Sequence, residues 1–598
     1  MASESHMWKQ QGDNYLNEGQ FLKAVHCYDK ALQLVKVPSE ACVLLLHRSH
    51  ARLQLCAFDA AHADTKAALK LPPACNTLGS ESEKGWFQAA QAMYGLRRFK
   101  DSNQYLMILR SRYEKQGTTI ETPRCQVELP GRSEVVAKGL RCQTRLKEQE
   151  GSIDFANMLR EAEETYPNPY LDRADYVGPI EIRPCPNPDH GRGLFTTKEV
   201  KAGDLLLCEK AFAAAFANPQ GSDPNDEDAA RLQAAALANP EGSNPNDEDA
   251  AGLRAAAFAN PEGSGPNDEE LARLRAELAT KTFVKLHRNP SLQKEFMDLY
   301  PGPDAVEDVD GKTGVAEVDD AAVHNRIKYN AFAFPLLSHA THVLTASDPY
   351  APSLLNSTSS RGIWLRASYI NHSCYPLVRR SFIGDMMIFR AQADIPANTE
   401  LKFGYISGME PLEERQKILK KYGFECRCQI CEAEEATSHK KLKRRDAITK
   451  DIIMLFEKEE PVSLHVYLDK LNELDKTYKH PPKVEPRKAM ITPTMNLLPE
   501  ILRAERYNDA IDLVLNLLMW LGFEFIMSAT GLVVTRWGFM TDDIVMALAD
   551  LCDAYRIAKP SFTANAERVA KKAYLIMCGE DESWEEEYGK SGKHQSEE

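Results

Sequence analysis

Apolar positions in the first 110 residues recur at intervals of three and four, and they do so in paired segments, which predicts antiparallel helices packed on one face. Trp8, Gly12, Tyr15, Gly19, Phe21, Ala24, Tyr28 and Ala31 mark a first pair. Leu45, Ser49, Phe58, Ala61, Ala68 and Pro73 mark a second, and Trp86, Ala90, Met93, Phe99, Ser102 and Leu109 a third. Residues 115–175 read as a connector with helical pieces, including Ile153 to Glu164, which stops before Pro167-Asn168-Pro169. The texture then changes: Pro179 to Arg183 and Asp204 to Glu209 read as short strands, with a turn at Ala202-Gly203-Asp204. Thr282 to Tyr300 is helical again, 301–320 is an acidic loop, and 323–345 returns to structure. Met386 to Arg390 and Glu400 to Tyr405 read as strands joined through Ile395-Pro396-Ala397-Asn398. Helical sequence follows Cys431, including Tyr507-Asn508-Asp509-Ala510 and Ala566 to Tyr574. The apolar stretch Leu513 to Val534 is long enough to cross a bilayer, but Asn516, Gly522 and Glu524 interrupt it, so a buried helical hairpin is expected and no membrane span.

The helix pairs near the start have the spacing of tetratricopeptide repeats, where small residues let two helices approach and aromatics fill the gap. Phe21 to Phe58 is 37 residues and Phe58 to Phe99 is 41, so loops lengthen a unit of about 34. Repeats of this kind that clamp chaperone carboxylates use Lys, Asn and Arg on the concave face. Here Lys9 and Lys84 stand in two such places, but Asp13, His47 and Gln88 fill the others, and Asp13 would repel a carboxylate. A peptide or protein partner other than a chaperone tail is expected on this array.

A length of 598 residues calls for several domains, and 43% apolar with 27% charged residues is ordinary folded composition. The net charge is -14, but 12 acids against two arginines between Asn218 and Glu270 account for ten of those charges. That stretch holds three 21-residue units, begun by Asn218-Pro219, Asn239-Pro240 and Asn260-Pro261, and reads as a duplicated, solvated insert. The near-neutral remainder argues against direct nucleic-acid binding. The start has no apolar run, so no secretory leader is expected, and the 14 cysteines are expected as reduced thiols. Localisation is therefore expected to be cytoplasmic, nuclear or both, the basic run Lys440, Lys441, Lys443, Arg444 and Arg445 being either an import signal or a solvated helix face.

Four separated motifs carry the chemistry: Gly191-Arg192-Gly193-Leu194-Phe195, Tyr329-Asn330-Ala331-Phe332, Asn371-His372-Ser373-Cys374, and Glu400 to Tyr405 followed by Cys426-Arg427-Cys428-Gln429-Ile430-Cys431. Cysteines crowded this way in a reduced chain point to metal before disulfide. In this order the motifs resemble the SET-domain protein lysine methyltransferases, in the branch with a large SET insertion and a helical C-terminal domain. The resemblance covers roughly 176–435. Other insert-bearing members of that branch carry a zinc-binding MYND module, and this chain does not, since 211–330 contains no cysteine.

The resemblance implies a multidomain α+β fold: an all-α tetratricopeptide-like N-terminal array, a β-rich SET domain with a pseudoknot and a zinc-bound post-SET segment, and an all-α C-terminal domain. It divides the chain into repeats at 1–115, a helical connector at 116–175, the first SET part at 176–211, the inserted region at 212–322, the SET core at 323–408, the post-SET zinc segment at 409–435 and a helical domain at 436–598. The implied activity is transfer of methyl groups from S-adenosylmethionine to the ε-amine of lysine in a protein substrate, a histone among the candidates. His190, Arg192, Gly193, Leu194, Asn330, Asn371, His372, Tyr405 and Phe424 are the implied cofactor contacts, the glycines letting the backbone approach a flat charged ligand. Tyr405 is the implied catalytic residue, aligning a neutral amine for in-line displacement. Cys374, Cys426, Cys428 and Cys431 are the implied ligands of a structural zinc, with His439 as a weaker alternative. Two departures stand out. Leu377 replaces a turn asparagine, and Asn398 stands where glycine is common and tolerates the left-handed conformation. The competing reading is a non-catalytic repeat scaffold with a vestigial SET domain.

Overall fold

The computed structural model describes residues 4–71, 80–116, 131–187, 190–217, 266–303, 318–347, 359–456 and 463–589. The first two acidic units, the start of the third, Pro73 and the acidic chain end lie outside the described residues. The repeat sequence folds as paired helices: α1 (Glu4–Asn17) with α2 (Phe21–Leu34), α3 (Pro38–Gln54) with α4 (Phe58–Ala68), and α5 (Ser80–Gly95) with α6 (Phe99–Gln116). Close approach explains the small residues. A Cβ on Gly12 would stand 2.7 Å from the Tyr28 ring, and one on Gly95 would strike Phe58. Ala24, Ala31, Ala51 and Ala61 are wholly buried for the same reason. Asp13 is buried too, held by the Tyr28 hydroxyl at 2.8 Å, by His47 at 2.7 Å and by Lys9 at 2.6 Å. Burial works against its charge, but the hydrogen bonds from His47, Lys9 and Tyr28 outweigh it and hold the carboxyl down to about 2. Two further helices, α7 (Arg132–Gln149) and α8 (Phe155–Glu164), complete this side, α8 capped by the Asp154 side chain accepting from the Asn157 N–H.

The β-rich region is built from small sheets. One has the order β1 (Tyr176–Val177), β4 (Leu205–Lys210), β10 (Met386–Ala391), β9 (Val378–Ile383), all antiparallel. A second pairs β2 (Ile180–Pro184) with β3 (Arg192–Thr196), Arg183 opposite Gly193. A third runs β5 (Ala213–Ala215), β7 (Ser360–Ile363), β6 (Ala331–Phe334). The fourth pairs β8 (Asn371–His372) in parallel with β11 (Lys402–Phe403), so two motifs far apart in sequence lie side by side. Leu206, Leu207, Trp364, Phe389 and Phe334 form the sealed core between these sheets. The end of the insert is α9 (Pro266–Arg288), whose Leu274, Leu278 and Leu286 pack against Ala213, Ala215 and Ile363. After it come α10 (Asp320–Asn330) and α11 (Ser338–Ser347).

Beyond β11 the chain is helical: α12 (Leu412–Leu419), α13 (Gln429–Glu435), α14 (His439–Phe456), α15 (Leu464–Asp475), α16 (Ile491–Arg503), α17 (Tyr507–Trp520), α18 (Asp542–Ala558) and α19 (Thr563–Cys578). The stretch Leu513 to Val534 is not a helical hairpin. Helix α17 stops at Trp520, Gly522 turns with φ +83°, and β12 (Glu524–Ser528) pairs with β13 (Gly531–Arg536). The β-branched run Val533-Val534-Thr535 suits a pleated ribbon better than a second helix. Among the described residues no helix is long and apolar enough to cross a membrane. The basic run opens α14, where Arg445 is buried with its guanidinium 3.5 Å from the Tyr478 ring centre and 3.1 Å from Glu485, leaving four of the five basic residues exposed.

Candidate active site

Strand β3 brings the glycine motif against the parallel pair β8–β11. A Cβ on Gly193 would stand 3.0 Å from the Cys185 sulfur, 3.1 Å from Glu400 Oε1 and 3.3 Å from Asn371 Nδ2, so only glycine fits there without displacing a neighbour. The Asn371 amide donates to Glu400 at 2.9 Å. Burial raises the Glu400 pKa, but bonds from Asn371 and Lys402 overcome it and leave the carboxyl below its ordinary range. Gly191 has φ +61° and nothing within 4 Å of where a side chain would begin, which leaves bare main chain at the lip of the site.

His372 links the next two groups. The Tyr405 N–H donates to Nδ1 at 3.0 Å, so that nitrogen carries no proton, and the proton sits on Nε2, 3.3 Å from the Cys374 sulfur. Around His372 the rings of Tyr405 and Phe424 lie 5.3 and 5.9 Å away, and Tyr405 also meets Phe403 at 5.0 Å and Tyr422 at 5.8 Å. The Tyr405 hydroxyl donates to the Ile370 carbonyl at 3.0 Å. Burial, with Tyr422 and Glu400 adding, raises the phenol pKa, so it serves as a neutral hydrogen-bonding group.

The cysteine motifs converge on one point. Sulfur separations are 3.9 Å for Cys374 and Cys426, 3.7 Å for Cys428 and Cys431, and 3.7 Å for Cys431 and Cys374, and all four lie within 4.8 Å of one another. Four thiolates about 2.3 Å from a tetrahedral zinc would stand about 3.8 Å apart, so the donor set fits that ion. Arg415, wholly buried, donates to Cys431 at 3.5 Å and to Glu434 at 2.9 Å, and Lys488 reaches Glu434 at 2.9 Å. These cations suit a thiolate cluster with excess negative charge. His439 is exposed and outside the cluster.

The remaining sequence-derived residues take less direct places. The Asn330 side-chain nitrogen donates to the carbonyls of Tyr300 and Arg326, both at 2.8 Å. Arg192 turns to Asp298 at 2.7 Å and lies over the Tyr369 ring at 5.0 Å, while His190 is exposed at the edge. The Leu194 side chain is buried in the core and its carbonyl accepts from the Leu401 N–H. Leu377 donates its N–H to Lys402 and accepts at its carbonyl from Gln392, which holds this turn by backbone alone. Asn398 adopts φ +61°, the conformation its residue type allows. Sequence reasoning missed Cys185, Asp298, Arg415 and Tyr422. It also missed Glu209, whose buried carboxylate accepts from the N–H groups of Arg366 and Ala367 and is pushed up to about 8 by burial.

Comparison with known proteins accords with this geometry. Residues 191–406 match the SET domain family. A protein of Gibberella zeae named methyltransferase is 29% identical over 591 residues, covering 97% of this chain and 73% of that one. Mouse histone-lysine N-methyltransferase SMYD3 is 31% identical over 141 residues, 23% of this chain and 30% of that protein. The Schizosaccharomyces pombe histone-lysine N-methyltransferase set5 is 35% identical over 89 residues, 14% of this chain and 28% of that protein. The chain thus contains a segment, 191–406, that matches the SET domain family, and it is similar along nearly its whole length to a protein named methyltransferase.

Proposed function

We propose that this chain is an S-adenosylmethionine-dependent protein-lysine N-methyltransferase whose post-SET segment is pinned by a structural zinc ion. The seat of Tyr405 carries the reading: its hydroxyl and the Ile370 carbonyl are paired polar atoms inside a ring of His372, Phe403, Tyr422 and Phe424. An amine entering such surroundings loses water, which disfavours its ammonium form and leaves a nucleophilic lone pair. Tyr405 and Ile370 then orient that lone pair. The bare main chain at Gly191 and the close packing at Gly193 suit a flat ligand lying against backbone. S-adenosylmethionine, when bound, supplies the methyl group. Asn330, Asn371, His372, Arg192 and His190 would hold it, with the main chain of Leu194 and the ring of Phe424 as its remaining contacts. Zinc on the four cysteines keeps Phe424 beside Tyr405.

Lysine as the acceptor draws support from the histone-lysine relatives, over the short segments they share with this chain. Histone is one candidate substrate; the helix pairs offer a surface for a protein partner, and residence in cytoplasm or nucleus fits the reading. The test is incubation of cell extract with the zinc-loaded protein and labelled cofactor, followed by mass spectrometry. Label on lysine side chains is expected. A folded protein that binds no S-adenosylmethionine by calorimetry would instead be a scaffold.

A further inference from the structure

Arg380 lies on β9 opposite Phe389 of β10, and its guanidinium is wrapped by rings, 5.6 Å from the centre of Phe332, 5.5 Å from Phe382 and 5.4 Å from Phe403. Phe403 is the ring against which Tyr405 packs. Arg361 lies at the end of β7, opposite Ala215 and Ala333. Both arginines are half-buried. A desolvated guanidinium ordinarily has a carboxylate beside it, as Arg415, Arg445 and Arg487 do here. Among the described residues neither Arg361 nor Arg380 forms an ion pair. Their charged neighbours are arginines instead, Arg275 near Arg361 and Arg379 near Arg380, and Arg379 already pairs with Asp542. Burial and Arg379 together push Arg380 down to about 10. Tyr422 acts electrostatically on both arginines and on Tyr405.

We propose that Arg361 and Arg380 are specificity residues that receive acidic side chains of the protein substrate within a few residues of the lysine presented to Tyr405. The inference rests on the lysine-methyltransferase reading and narrows its substrate class: a lysine in an acidic segment is favoured, and one in an arginine- and lysine-rich tail is repelled, which sets aside the histone-tail candidate named above. An extended chain advances about 3.4 Å per residue, so a carboxylate two to four residues from the lysine reaches roughly 7–14 Å beyond it. A planar guanidinium stacked on aromatics retains its in-plane donors for a carboxylate.

The experiment is fluorescence anisotropy of the full-length, zinc-loaded protein with labelled peptides that share a central lysine and differ only in Asp/Glu, neutral or Lys/Arg flanks. Acidic flanks are expected to bind about tenfold more tightly than basic ones. In Arg361→Gln and, separately, Arg380→Gln, that ratio is expected to fall toward one with neutral-peptide binding retained. Arg361→Gln removes no aromatic packing, so it keeps the test decisive should Arg380→Gln unfold. Equal or tighter binding of basic peptides overturns the proposal, as does a preference that survives both substitutions. Acidic binding that appears only after deletion of 218–265 also counts against it, because the chain's own acidic units would then be the occupant. Binding is read without turnover, so absence of methyl transfer in cell extract would sink the enzymatic reading while leaving this ratio measurable.

Discussion

His372 commits each ring nitrogen to a different part of the site, Nδ1 to the Tyr405 backbone and Nε2 to the Cys374 sulfur, so one side chain registers the aromatic seat against the cysteine cluster. In the proposed function the Tyr405 hydroxyl is the group that meets the amine. Tyr405→Phe keeps the ring contacts with Phe403, Tyr422 and Phe424 and deletes only the oxygen. Methyl transfer is expected to fall on the order of a hundredfold, because a misaligned amine costs about that much. Calorimetric affinity for S-adenosylmethionine is expected to stay the same, and unchanged turnover would remove Tyr405 from its role. His372, Tyr405 and Phe424 of this seat can be picked out in order along the chain, and the four cysteines with them, but Tyr422 cannot. Nor can their partners: Asp298 lies 106 residues from Arg192, and Arg415 reads as a surface cation in Leu-Glu-Glu-Arg-Gln-Lys yet is fully buried. Partner choice is made by tertiary packing, which leaves no local periodicity to read.

Elements show the same division. Helix pairs with aromatic and small residues announce themselves because glycine at 12 and 95 is demanded by ring contacts within the array. Strand β3 was hidden inside a motif read for its glycines, and the hairpin β12–β13 inside an apolar run that periodicity could not divide. Two predictions belong here. Cys428→Ser removes one of four sulfurs, so zinc content should fall by elemental analysis and the post-SET segment, α12 to α13, should lose thermal stability by several kcal/mol (about 3 or more). In the first repeat, Asp13 is held below its unfolded pKa by His47, Lys9 and Tyr28. A depressed carboxyl stabilises the fold above its unfolded pKa and loses that contribution as pH falls from about 4 to about 2. Asp13→Asn should therefore cost about 2 kcal/mol at pH 7 and progressively less toward pH 2, read from melting curves across that window. A penalty independent of pH would mean that shape, not charge, is what Asp13 contributes.

At the scale of the molecule, the SET region is gripped from both sides. Toward the C-terminal helices, Arg390 donates to the carbonyls of Gly579 at 2.8 Å and Gly203 at 3.0 Å, and His342 on α11 joins Asp542 at 2.9 Å to Tyr588 at 2.8 Å. Toward the repeats, Tyr94 meets Asp172 and Arg97 meets Asp175 at 2.8 Å. The tightest joint is Asn289, just past α9 and only 2% exposed. Helix α4 has no cap of its own at Ala57. Asn289 Oδ1 accepts from the Phe58 and Asp59 N–H groups at 2.8 and 3.3 Å, while its Nδ2 donates to the Cys56 carbonyl at 3.0 Å. Ser291 returns the contact by donating its N–H to Asp59 at 2.7 Å, and Arg288 donates to the Leu55 carbonyl at 2.8 Å. A repeat helix is thus capped by a residue 231 positions away, which couples the folding of the array to that of the insert. Asn289→Ala leaves the part-buried Phe58 and Asp59 N–H groups without this cap, at a cost of about 1 kcal/mol. Hydrogen exchange is expected to quicken at Phe58 and Asp59 and along the start of α4, with α1 and α2 less affected because they pack on each other and on α3. Unaltered exchange at Phe58 would show that α4 holds its own end, and that the array and the SET region are only neighbours.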